Sequence, residues 1–164
     1  MEQHPHLKRS DYLDWNHTFM MIAKTIAQRS KDPSTQVGCC IVNSKQFIAG
    51  IGYNGFPRGC DDDLFPWTKE GPYHESKYAY VVHAEQNAIV NANQMDLNGT
   101  TMYVTRHPCN ECAKFIIQSG IIRVFYLSNP IPDDPSTIAA VRMFNAAQVE
   151  LIHFVPEQTA CIEL

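Results

Sequence analysis

The sequence predicts one three-layer α/β/α sandwich, spanning residues 1–164, around a central mixed sheet of about five strands. Three observations carry that expectation. Five short apolar runs (QVGCCIVN, QFIAGIGY, TTMYVTR, IIRVFYL and VELIHFV) have strand length. Stretches with apolar residues three and four apart lie beside them, so strand and helix alternate in the second half. Hydrophobic residues at 45% and charged residues at 18% describe a chain that buries one core.

In chain order, DYLDWNHTFMMIAKTIAQRS puts Tyr12, Trp15, Phe19, Ile22 and Ile26 on one helical face, with Ser10 or Asp11 as cap. The next two runs, joined by Asn43, Ser44 and Lys45, suit a β-hairpin. From Asn54 to about Tyr80 periodicity is lost among Gly, Pro, Asp and aromatic residues; a loop that long in a compact domain is usually functional. HAEQNAIVNANQ then reads as a helix, TTMYVTR as a strand, CNECAKFIIQSG as a helix stopped at Gly120, and IIRVFYL as a strand. Strand, helix, strand requires parallel pairing through a crossover. Asp134 caps and Pro135 opens a last helix, and VELIHFV supplies the final strand.

The formal charge of −4 argues against a surface built to track a nucleic-acid backbone. No apolar run of about 18 residues occurs and the start, MEQHPHLKRSDYLD, is polar, so the expectation is no membrane span, no secretory signal and a cytoplasmic location. Six cysteines in such a chain should be thiols, thiolates or metal ligands rather than disulfides, with Cys39, Cys40 and Cys161 as small apolar filling.

Chemistry concentrates at two helix starts. Cys109 and Cys112 are one turn apart just after Pro108, so both sulfurs face one side, where the helix dipole favours thiolate. Alone, the pair is ambiguous among a redox couple, half of a structural zinc site and chance. His83 opens the preceding helix, and both helices flank TTMYVTR, so their N-termini can converge. One nitrogen and two sulfurs leave a tetrahedral zinc with an open position, the catalytic arrangement; Cys60, His74 and His107 stand as candidates for a closing fourth ligand. Glu85, two residues after His83, can stand beside the metal, take a proton from attacking water and return it to a leaving nitrogen. It also suits the first turn of a helix simply as a negative charge.

His-x-Glu followed by Pro-Cys-x-x-Cys is the signature of zinc nucleobase deaminases. With RSKDPSTQVG, GIGYNGFPRGC, SKYAYVVHAE, PCNECAK and IIQSGIIRVFYL, the chain resembles the deoxycytidylate (dCMP) deaminases from about Trp15 to Val155. The resemblance implies the cytidine deaminase-like fold, zinc at His83, Cys109 and Cys112, Glu85 as acid and base, and conversion of dCMP to dUMP for thymidylate synthesis. It further implies a homo-oligomer, commonly a hexamer, activated by dCTP with Mg2+ and inhibited by dTTP. Asn54 would hold the sugar 3′-hydroxyl, although Asn54-Gly55 also suits a plain turn. Lys31, Asp32, Gln36, Gly38 and Asn43 would contact the effector, against the plainer reading of a solvated connection.

For the substrate phosphate, which needs cationic or hydroxyl donors, Ser76 and Lys77 lead, followed by Arg58, all three also readable as solvated loop residues. Arg106 and His107 depart from the apolar or small residues usual before Pro-Cys. They raise the expectation that dCTP is accepted as well as dCMP. Deamination of cytosine or adenine within a polynucleotide is the competing activity, disfavoured by the acidic charge. Tyr126 reads as core, and Phe65 and Trp67 as a pocket cover or a subunit contact.

Overall fold

The computed structural model describes residues 8–156, so Cys161 lies outside the described residues. The elements in order are α1 (Trp15–Ala27), β1 (Gly38–Val42), β2 (Ile48–Tyr53), α2 (Ala84–Asn91), β3 (Thr101–Arg106), α3 (Asn110–Gln118), β4 (Arg123–Ser128), α4 (Pro135–Ala146) and β5 (Glu150–His153). Between β2 and α2 the long loop contains single 3-10 turns at Tyr73–Glu75 and Lys77–Ala79. No helix among the described residues is long and apolar enough to cross a membrane.

The first helix starts later than the spacing suggests. Asp14, in an extended conformation, accepts from His17 N–H at 2.9 Å and is the cap, while Tyr12 stays outside the helix and exposed. The hairpin turn is held by Asn43, whose side-chain oxygen accepts from Lys45 N–H and Phe47 N–H. Gly120, at φ +79°, ends α3 as expected, and Asp134 caps α4 through Thr137 N–H.

The sheet order is β2-β1-β3-β4-β5, with β1 antiparallel to both neighbours and β3, β4 and β5 parallel. Two successive crossovers moving the same way across the sheet place α3 and α4 on one face. There they share a core with α2 through Ala84, Ala88, Ala113, Ile116, Ala140 and Phe144. The opposite face is covered by α1, whose Phe19, Met20 and Ala23 pack on Cys40, Val42 and Tyr103. Cys39 and Cys40 are fully buried on opposite faces, the apolar filling expected of them.

The approach of α2 to the edge strand explains the two glycines in AGIGY. A Cβ on Gly52 would meet Ala88 N at 2.3 Å and Ala84 O at 2.4 Å, and one on Gly50 would meet Ala88 O at 2.3 Å. Only glycine lets the helix backbone lie this close. Asn87 and Asn91 then donate to the carbonyls of Tyr53 and Ile51, fixing the helix along the strand. His83 and Glu85, at the start of α2, inherit that position.

Candidate active site

The starts of α2 and α3 meet beside the end of β3. His83 caps α2 and Cys109 caps α3. Their ligand atoms converge with that of Cys112: His83 Nδ1 lies 3.2 Å from Cys112 Sγ and 3.4 Å from Cys109 Sγ, and all three atoms fall within 4.8 Å of one another. A tetrahedral zinc bonded to nitrogen at about 2.0 Å and sulfur at about 2.3 Å holds its ligands roughly 3.5 Å apart. The donor set and its spacing fit that ion. Among the described residues no fourth His, Cys or carboxylate joins the group, so Cys60, His74 and His107 do not close it.

Protons are shared unequally within the trio. The Cys109 thiol is held down to about 4, first by the Cys112 thiol that hydrogen-bonds to it and then by His83. Cys112 is pushed far up for the reciprocal reason and by burial. His83 is raised by its bond to Cys109. Cys109 is therefore the thiolate, and Cys112 keeps its proton until a cation displaces it.

Glu85 is almost fully buried next to these groups and is not part of the ligand set. Burial pushes its carboxyl up. That suits a group that must both take and give a proton near neutral pH.

His83 and Cys109 border a cavity of about 270 Å³, with Cys112 buried behind them. Asn54, Asp32, Lys77 and His107 border it with Glu85. Asn54 follows β2 and is fixed by paired hydrogen bonds between Gly55 and Val82 that tie this strand end to the segment before His83. Its amide is nearly saturated: Nδ2 donates to Thr35 O at 3.0 Å and to Asp32 at 3.4 Å, and Oδ1 accepts from Val37 N–H at 2.8 Å. One lone pair on Oδ1 remains, so Asn54 can only accept from a ligand, as a sugar hydroxyl would require.

Other expected site residues are dispersed. Ser76 is buried and donates to Tyr73 O, away from the cavity. Lys77 borders the cavity, but its ammonium is met by Asp32 at 2.5 Å. Arg58 bonds Asn91 and lies at a second cavity, of about 220 Å³, with Arg29, Lys31 and Asp62. The five expected effector residues do not line one cavity. Lys31 pairs with Asp62 at that second cavity, Gln36 donates to Asp32 O, Gly38 is packed under α1, and Asn43 holds the hairpin turn. Asp32 belongs to the wall of the metal-bearing cavity.

Residues 13–128 match the cytidine and deoxycytidylate deaminase zinc-binding region. The chain belongs to the cytidine and deoxycytidylate deaminase family. It is 52% identical to the deoxycytidylate deaminase of Homo sapiens over 151 residues, covering 92% of this chain and 85% of that one. It is also 52% identical to a probable deoxycytidylate deaminase of Drosophila melanogaster, covering 92% and 77%. The dCMP deaminase of the cyanophage S-TIM5, solved in complex with dCMP and dUMP, superposes with a TM-score of 0.68 at 25% identity, over 91% of this chain and all of that one.

Lys69, Tyr78 and Thr35 also border this family member's cavity; Thr35 and Tyr78 lie in segments that carry the family resemblance, RSKDPSTQVG and SKYAYVVHAE, whereas no sequence signal marks Lys69. All three lie in connections, where no period places a side chain. Phe65 and Trp67 do not border it. They pack with Phe56 and Tyr80 into an aromatic cluster that stiffens the long loop, and Trp67 donates to Asp62 O. Tyr126 stands behind the site, its ring 4.8 Å edge-on from His107 and 5.2 Å from His153.

Proposed function

We propose that the chain deaminates dCMP hydrolytically to dUMP and ammonia, with zinc held by His83, Cys109 and Cys112. The observation that carries this reading is the convergence of one imidazole and two sulfurs beside a buried carboxylate that does not join them. Zinc bound there supplies the Lewis acidity that makes water nucleophilic at neutral pH. Glu85 accepts the water proton as the new C4–O bond forms, then delivers it to the amino nitrogen so that the C4–N bond breaks and ammonia leaves. Its raised pKa keeps both of its protonation states within reach. Asn54 accepts from the sugar 3′-hydroxyl, and Gln86 steadies the start of α2 by accepting from His83 N–H at 3.2 Å.

The reading extends to a nucleotide effector, dCTP with Mg2+ activating and dTTP inhibiting, in a cytoplasmic homo-oligomer. The effector reading is supported by the second cavity, where Arg29 and Arg58 offer charge to a polyphosphate. Asp32, next to Lys31, bonds Lys77 and Asn54 in the first cavity, so a shift of this segment reaches the substrate wall. Ammonia release from dCMP, dCTP, cytidine and single-stranded DNA tests the activity: dCMP is turned over, and preference for DNA overturns the reading. The dCMP rate with and without dCTP and Mg2+ tests the effector.

A further inference from the structure

The metal-bearing cavity is bordered by two acidic residues, Asp32 and Glu85, and by three basic ones, Lys69, Lys77 and Arg106. Lys77 is cancelled by Asp32 at 2.5 Å. Glu85 sits deep, against the cysteines. Among the described residues, no carboxylate forms an ion pair with Lys69 or Arg106. Lys69 and Arg106 therefore border the cavity without an ion-pair partner, in a chain whose net charge is negative.

Both cations stand on fixed backbone. Arg106 is the last residue of β3 and pairs in register with Ser128 of β4, at the carboxyl end of the parallel strands, where open α/β sheets bind ligands. Lys69 is carried by a turn tied down on both sides: Lys77 N–H donates to Thr68 O at 2.9 Å, and Glu70 N–H to Thr68 Oγ1 at 3.0 Å. Trp67, two residues earlier, is anchored in the aromatic cluster. An arginine and a lysine bordering one cavity suit a dianionic phosphomonoester.

We infer that Lys69 and Arg106 form the phosphate clamp of this site and select a 5′-nucleotide over the nucleoside. The inference rests on the deaminase reading for the substrate and replaces Ser76, Lys77 and Arg58 in the phosphate role. Ser76 is turned away, Lys77 is already neutralised, and Arg58 serves the other cavity.

The test compares wild type, Lys69→Met, Arg106→Leu and the double variant, each zinc-loaded, on dCMP and on deoxycytidine. Each single change is expected to raise KM for dCMP about tenfold and the double change about 100-fold, with kcat nearly unchanged, the pattern of lost ground-state binding. Turnover of deoxycytidine should stay within about twofold. A dCMP KM within twofold of wild type in the double variant, or an equal loss on the nucleoside, overturns the clamp. Should wild type turn over neither compound, the deaminase reading fails instead. The clamp is then decided by equilibrium binding: wild type should bind dUMP more tightly than deoxyuridine, and the double variant should erase that difference.

Discussion

Asp32 Oδ2 accepts from Lys77 Nζ at 2.5 Å, with the two side chains only 3% and 7% exposed. The same carboxylate accepts from Ser34 N–H, Thr35 N–H and the Asn54 amide, so one buried anion joins the segment after α1, the end of β2 and the segment before α2. These are three of the walls of the metal-bearing cavity. Charge at this depth is tolerated because each lone pair has a donor.

Removing one partner of this pair should therefore cost more than any surface change. Lys77→Met strands a buried carboxylate, a loss of about 3–5 kcal/mol. For a domain of this size that lowers Tm by roughly 6–20 °C. Adding Asp32→Asn to Lys77→Met should restore more than half of the loss, measured by thermal denaturation. A Tm within about 2 °C of wild type for Lys77→Met would show that the pair is hydrated and carries no such load.

Gly52→Ala probes the seating of α2. The new methyl carbon meets helix backbone on two sides, which cannot rotate away as a side chain would. Overpacking costs about 1–3 kcal/mol even where side chains can give. The variant should reach at least the upper part of that range and lose bound zinc in proportion, because His83 rides on the displaced helix. Full zinc content with unaltered Tm would contradict the close approach.

Much of this was legible in the residue order. Apolar spacing and apolar runs mark the four helices and five strands of the described residues, and the pairing of His83 with Cys109 and Cys112 follows from two helix starts flanking one strand. Local signals sufficed there because caps, periods and Cys-x-x-Cys spacing act within a few residues. What escaped depends on contacts between distant segments. The family resemblance groups Asp32 with Lys31 as effector contacts, yet the two residues border different cavities. Lys77 reads in the sequence as a free cation, whereas in the fold it is paired with Asp32, 45 residues earlier. Lys69 carries no local mark; only the fold of the long loop brings it to the cavity that Arg106 also borders.

Metal removal has a defined signature. Chelation should abolish turnover, and zinc alone should restore it. At a free zinc concentration about 1,000 times its Kd, the ion should add roughly 4 kcal/mol of stability. The sign of the pH effect follows from the thiols: Cys109 is ionised above about 4, whereas Cys112 keeps its raised proton through neutrality. At least one proton must leave on binding, so apparent zinc affinity should increase with pH, by about tenfold per unit between pH 6 and 8. Competition titration with a chelating dye reads this slope, and a flat profile would mean the cysteines are not the ligands.

Glu85→Gln separates catalysis from metal holding. The amide keeps the shape of the carboxyl and fills the same buried space, but neither accepts a proton from water nor returns one to the leaving nitrogen. Since Glu85 lies outside the ligand trio, zinc content and Tm should stay near wild type. Turnover of dCMP should fall by about 10²–10⁴, the usual contribution of a positioned acid and base. Binding of dUMP should persist, because Asn54 and the mouth of the cavity are untouched. If Glu85→Gln loses zinc along with activity, Glu85 is a ligand or a prop of the metal site and the proton must be carried by another group. If activity survives with zinc in place, the proton bypasses this carboxylate and the assignment of acid and base falls.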